Sequence, residues 1–191
     1  MAILFTVRSK LLRTHSGEVS FPGGRVDPTD VSPLGAALRE THEEIGVESS
    51  SLLVLGPLPR MPDRSGSTEV FSFVSIACWM PWTDNDASLH ATGGIRTLED
   101  LPKSQWDSLR MKSVEDLKLV LNRDEVDSCF IVPLDELLDP SKRSEEDFRG
   151  SKGIKIPTWF GPNQERIWGL TAFVLDHLLK HVIVPAQQQP R

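Results

Sequence analysis

Apolar and polar positions alternate along this chain in short blocks, and the blocks change period several times. Ala2 to Val7 is an apolar, strand-like run, followed by a polar, glycine-containing loop over residues 8 to 24 that ends in "FPGG". From residue 33 the period becomes helical: Leu34, Ala37, Leu38, Thr41 and Ile45 recur at spacings of three and four, which puts them on one face. Ser32 is a good helix N-cap, Pro33 suits the first helical position and Gly46 suits the stop, so the pattern predicts a helix over 33–45. Leu52 to Leu55 and Val70 to Met80 read as strands, the second rich in β-branched and aromatic residues. Residues 83 to 121 are polar and weakly periodic, the texture of a long insertion with one short helix at 113–121.

Strand character resumes at Val126 to Val132, and a short helix is expected over Leu134 to Leu138. Glu145 to Gly161 reads as a hairpin. Ile167, Leu170, Thr171, Val174 and Leu178 form a helical stripe, which predicts a closing helix over 164–181 with that stripe, and Trp168 at its start, in the core. Alternating strands and helices indicate an α/β fold. The expected organisation is one domain over 1–184, with the insertion at about 83–121 and a loose tail over 185–191.

Composition adds exclusions more than assignments. The 191 residues are 39% hydrophobic and 25% charged, in the range of an ordinary globular protein. A net charge of -6 with scattered basic residues argues against a nucleic-acid surface. Cys78 and Cys129 each sit in an apolar run and are expected to be buried free thiols. No continuous apolar stretch approaches the ~18 residues of a membrane span, so no membrane is expected as a partner. The opening lacks a signal-peptide pattern, and the last three residues are not a peroxisomal ending. The chain begins almost directly in its first strand, so an upstream segment, with any address it carries, is expected to be missing.

The chemistry concentrates in "SFPGGRVDPTDVSPLGAALRETHEEIGV". On the predicted helix Glu40, Glu43 and Glu44 lie three and four residues apart and converge on one side. Three like charges there repel, and Arg39, which can pair with Glu43 one turn on, cannot neutralise them all. A hard divalent cation can, since Mg²⁺ takes oxygen ligands and is held by a few carboxylates plus substrate phosphates. A solvated acidic face is the plain alternative for two adjacent glutamates. The Pro-Gly-Gly turn ahead of the helix favours the metal, because glycines let backbone approach an ion closely.

This stretch resembles the Nudix box, in which a glycine, five residues, an acid and seven residues precede Arg-Glu-x-x-Glu-Glu-x-Gly and an apolar residue. Arg39, Glu40, Glu43, Glu44, Gly46 and Val47 match directly. From Gly24, five residues lead to Asp30 in place of glutamate, and eight rather than seven lead on to Arg39. Upstream, "LFTVRSKLLRTHSGEVSFPGG" resembles the signature of the coenzyme A pyrophosphatase branch of that superfamily. Arg8, Ser9, Arg13, Gly17, Phe21, Pro22, Gly23 and Gly24 are in register, with Phe5 replacing a usual leucine. Members of that branch tolerate the one-residue offset. "RDEVDSCFIVPLDELLDP" and "RIWGLTAFVLDHLL" agree with the family too.

The resemblance implies an α/β/α sandwich around a mixed β-sheet, with the family's first strand missing from this chain. It implies a hydrolase that uses Mg²⁺ or Mn²⁺ to cleave coenzyme A or acyl-CoA to 3′,5′-ADP and 4′-phosphopantetheine. Glu40 and Glu44 are the expected metal ligands with Glu43 alongside, and Gly23 and Gly24 are expected to bind substrate, the Gly24 region also lending the metal a carbonyl. Arg8 and Arg13 suit the phosphates, because guanidinium pairs with such groups through paired donors. Arg39 and Glu43 join Glu125 as catalytic candidates; Glu125 precedes a strand where it can serve as base or accessory metal ligand, with Asp124 and Asp127 as neighbours that could substitute and Glu43 as the rival base. Another nucleoside diphosphate derivative (ADP-ribose or NADH), or a non-catalytic binding module, are the competing readings. The oligomeric state, monomer or homodimer, stays open; an intracellular place is expected, and the family allows mitochondria or peroxisomes.

Overall fold

The computed structural model describes residues 1–62, 69–79, 96–97, 103, 109–147 and 155–188. These form two compact units, one of residues 1–21 and 123–191 and one of residues 22–122. Most of the insertion expected at 83–121 lies outside the described residues.

In the first unit, β1 (Ala2–Arg8) lies between β2 (Val19–Ser20) and β9 (Val126–Pro133), antiparallel to both. The β1–β9 ladder keeps register from Ala2↔Pro133 to Val7↔Ser128 and then slips, so that Arg8 faces Val126. A second sheet places β11 (Lys155–Phe160) between β10 (Ser144–Asp147) and β12 (Arg166–Ile167), again antiparallel. Phe5, Phe130, Trp159, Ile167, Ala172, Leu175 and Leu179 form the core of this unit. Trp159 satisfies its indole N–H on the Leu137 carbonyl at 3.2 Å, which lets a large ring with one polar atom be 2% exposed.

The second unit holds α1 (Pro33–Ile45) and a sheet of β3 (Leu52–Pro57), β6 (Phe73–Trp79), β7 (Arg96–Thr97) and β8 (Arg110–Met111). β3 runs antiparallel to β6 and parallel to β7, so this sheet is mixed. A small ladder pairs β4 (Met61–Pro62) with β5 (Glu69–Val70). Leu53 and Cys78 are buried in this unit, with Ile76 and Leu109 packed on them. Both cysteines are free thiols: Cys78 is buried, and Cys129 is half-buried with its thiol pKa pushed up by burial.

α1 forms as its local signals dictate. The Ser32 hydroxyl accepts from the Gly35 amide at 3.0 Å, and Gly46 closes the helix at φ 72° with its amide on the His42 carbonyl. Elsewhere the boundaries shift. The strand expected from Val70 breaks at residues 71–72, where the run changes partner: Glu69–Val70 pair with Met61–Pro62, while Phe73–Trp79 pair with β3, whose ladder the Leu58 amide extends onto the Ser72 carbonyl at 2.8 Å. The short helix expected at 113–121 is α2 (Val114–Leu117) alone, since Lys118 takes a left-handed turn at φ 48°. α3 (Leu134–Leu138) is where the pattern put it.

The closing helix is corrected at both ends. Arg166 and Ile167 pair with β11 instead, so α4 (Gly169–Leu178) starts five residues late. Trp168 caps it in extended backbone, half-buried, with the Arg166 guanidinium 4.8 Å over its ring. Past Leu178 the helix continues through a π-helical turn (Leu179–Ile183) into α5 (Val184–Gln188), where a loose tail was expected. Leu170 is 36% exposed, and Ala172 and Leu175 take its place in the buried stripe. The run Gly169–Gln188 is 20 residues long and is, by length and composition alone, long and apolar enough to cross a bilayer. Its interspersed polar residues hid that from a search for one continuous apolar stretch.

Candidate active site

Two clusters of the expected residues are brought together, one in each unit. In the second unit, the Pro-Gly-Gly turn folds back onto α1. Gly23, at φ 137°, donates its amide to a Glu44 carboxylate oxygen at 3.0 Å. Glu44 is 2% exposed, so of the three glutamates expected on one side one is buried and met by backbone, unlike the plain alternative of a solvated acidic face. At Gly24 the fit is tighter still. A Cβ there would lie 2.3 Å from both Cδ and Oε2 of Glu40, so only glycine leaves room for that carboxylate.

Arg39 organises the rest. Its Nε and Nη2 donate to the two Asp30 oxygens, each at 2.9 Å, its Nη1 to Glu43 at 2.8 Å, and its Nη2 also to Glu40 and to the Arg25 carbonyl, both at 3.2 Å. The paired bonds to Asp30, whose side chain is 6% exposed, hold that carboxyl down at about 2, and the Asp27 amide adds a further bond. The same contacts raise the Arg39 pKa further, so the guanidinium stays charged. Asp30, one residue out of step with the family spacing, is therefore a partner of Arg39 and not of a distant group. Glu43 is the outermost of the three, with its side chain 47% exposed and its carboxylate on Arg39.

The donor set fits a hard divalent ion. Glu40 and Glu44 offer carboxylate oxygens one turn apart, both set against the glycine turn. Among the described residues no three acidic, histidine or cysteine side chains converge as a ready-made cage. Mg²⁺ does not need one, because it keeps several waters and takes one or two carboxylates together with substrate phosphates.

In the first unit, β1 ends at Arg8 and the chain makes a loop back to β2, closed by Arg8 N–H on the Glu18 carbonyl at 2.9 Å and Gly17 N–H on the Arg8 carbonyl at 3.0 Å. Arg8 is half-buried at the base of this loop and Arg13 is exposed on it. His15, at φ 56°, pairs through Nδ1 with the Glu18 carboxylate at 2.8 Å. Glu125 is half-buried on the facing loop, and its carbonyl accepts from the Ser9 amide at 2.8 Å; Asp124 and Asp127 are exposed. Sequence reasoning matched Ser9 to a signature without giving it a role, and it missed the His15–Glu18 pair. A serine flanked by charged residues gives no sign that it will be buried.

The chain's similarity to known proteins agrees with this geometry. Residues 1–150 match the NUDIX domain. A "Probable nudix hydrolase" of Schizosaccharomyces pombe is 30% identical over 188 residues, 95% of this chain and 50% of that protein. The mitochondrial coenzyme A diphosphatases of Mus musculus and Homo sapiens are 32% and 31% identical, covering 99% and 100% of this chain and 74% and 66% of their own lengths. This chain thus spans from half to three-quarters of the length of these relatives. With a matching domain over most of its length and the box glutamates set against their glycine turn, the chain belongs to the Nudix hydrolase family.

Proposed function

We propose that this chain hydrolyses the pyrophosphate bond of coenzyme A and its thioesters, giving 3′,5′-ADP and 4′-phosphopantetheine, with Mg²⁺ or Mn²⁺ bound. The observation that carries the hydrolase chemistry is the seating of the Pro-Gly-Gly turn against Glu40 and Glu44. Coenzyme A as the substrate is supported by the activity for which the mouse and human relatives are named and by the arginine-bearing loop after β1.

A bound divalent ion supplies two things such a reaction needs: neutralisation of the phosphate charge and a water of lowered pKa. Glu40 and Glu44 would hold the ion, with Glu43 alongside. Arg39, one of the catalytic candidates, fixes Glu40, Glu43 and Asp30, which supports a positioning role for it. Arg8 and Arg13 bind the phosphates, and a 3′-phosphate beside a pyrophosphate gives two guanidinium groups separate partners. Glu125 accepts the proton from the attacking water. Glu43 is the less suited base, because its carboxylate is already engaged by Arg39 at 2.8 Å. The relatives named mitochondrial make that organelle the proposed compartment.

The test is turnover of the purified chain with Mg²⁺ on coenzyme A, ADP-ribose and NADH side by side. Coenzyme A preferred, with 3′,5′-ADP released, supports the reading. Preference for ADP-ribose or NADH overturns the substrate, and binding without turnover of any of them makes the chain a binding module.

A further inference from the structure

Ser9 is 3% exposed, although the five residues after it are mostly exposed. Every polar group it owns is used. Its amide donates to the Glu125 carbonyl at 2.8 Å, and its carbonyl accepts from Leu12 at 3.2 Å. Its hydroxyl donates to the Arg123 carbonyl at 3.0 Å and accepts from the Leu11 amide at 3.3 Å. One oxygen thus closes the turn that leads to Arg13 and also holds the segment that carries Glu125.

The ladder prepares this junction one residue earlier. Its slip after Val7↔Ser128 leaves Asp127 unmatched, and such a slip bends a strand and re-aims the residues beyond it. Arg123 reaches back to the Asp127 carbonyl, which closes the bulge on its own side. The two strands therefore end together, and Ser9 is the point where their two loops stay joined.

We infer that Ser9 is a positioning residue that couples the Lys10–Arg13 turn to the Arg123–Glu125 segment, so that the phosphate-binding and proton-accepting groups keep a fixed register. What those groups do rests on the function proposed above; the coupling itself does not. A loop serine that served stability alone would have no reason to act through Glu125.

The experiment uses the full chain with Mg²⁺, coenzyme A as substrate, and the variants Ser9→Ala, Glu125→Gln and the double variant. Ser9→Ala removes the acceptor of the Leu11 amide and the tie to the Arg123 carbonyl, so the Leu11 amide, and through the loosened segment the position-9 amide on Glu125, should exchange hydrogen about tenfold faster while amides of α1 are unchanged. The kcat of Ser9→Ala should fall at least about tenfold, because a misplaced group costs rate steeply. In the Glu125→Gln background the same change should lower kcat less than about twofold, since both act on one group. Unchanged exchange at the position-9 amide, which bridges to the Glu125 carbonyl, overturns the coupling whatever the kinetics. Faster exchange with fully additive losses of kcat overturns action through Glu125. Wild-type kcat in Glu125→Gln alone sinks the base assignment, and with it that action, while the exchange result still decides the coupling. Where alanine does not fold, Ser9→Cys keeps a weaker donor in place and carries the same expectations at smaller amplitude.

Discussion

Replacing Gly24 with alanine separates the site from the fold. The new Cβ would stand 2.3 Å from Cδ and Oε2 of Glu40, and 2.7 Å from Oε1, where ordinary contact begins at 3.4 Å. The carboxylate has to retreat by about 1.1 Å, several times the roughly 0.2 Å within which a metal ligand must be placed. Retreat is cheap for the fold, because the clash is with the far end of a flexible side chain and Gly24 does not need a left-handed φ. Losing a glycine there even restricts the unfolded chain, worth about 0.4–1 kcal/mol in the other direction. Gly24→Ala should therefore keep its Tm within a few degrees, while kcat/KM falls about 100-fold and more Mg²⁺ is needed for half-maximal rate. Thermal melts, a Mg²⁺ titration by calorimetry and steady-state rates measure all three. Wild-type rate and Mg²⁺ dependence in a folded Gly24→Ala protein would refute the reasoning, and with it Glu40 as a ligand.

Other consequences follow from neighbouring residues. Glu44→Gln keeps an oxygen to accept the Gly23 amide, so the fold should persist; since even the partners of metal ligands are worth 10–100-fold, loss of a ligand should cost at least about 100-fold in kcat, and unchanged Mg²⁺-dependent turnover would remove the assignment. Asp30 titrates at about 2 in the folded chain against an ordinary 3.8, so the stability from its pairing with Arg39 is complete above pH 3.8 and is lost as pH falls through about 2. Asp30→Asn should thus be less stable than wild type at pH 7 and lose less on acidification from pH 4 to 2; parallel urea midpoints across that window in both proteins would contradict the pairing. Leu175→Ala empties a fully buried position of the first unit, and a cost of about 2–5 kcal/mol should lower its Tm by roughly 4–20 °C, a change that calorimetry reads directly.

What could be read without coordinates was whatever the chain encodes within a turn or two. Ser32, Pro33 and Gly46 mark both ends of α1 by local chemistry, and the structure places the helix between them. The Arg39–Glu43 pair is likewise one helical turn. The misses depend on distant partners. Ile167 fits a helical stripe but is taken, with Arg166, by β11, and the run from Val70 is split because its first residues pair with β4 and its later ones with β3. Pro185 suggested an ending, yet it follows a widened turn in which the Val184 amide already reaches back to Leu179, so the missing proline N–H is tolerated in the first turn of the next segment. In the site, the glutamates and glycines were visible as a motif. That Glu44 is buried, that Glu40 fills the space beside Gly24, and that Asp30 belongs to Arg39 depend on how the loop from residue 22 to 32 folds back. No spacing rule encodes that path.

The claim that carries everything else is that the glutamates of α1 and their glycine turn make this chain a metal-dependent pyrophosphohydrolase of coenzyme A. The most direct measurement is product analysis of the purified wild-type chain with coenzyme A in Mg²⁺ and in chelator, beside Glu44→Gln. The account predicts 3′,5′-ADP and 4′-phosphopantetheine in equal amounts with Mg²⁺, and neither with chelator or with the variant. Equal product formation in all three would contradict it.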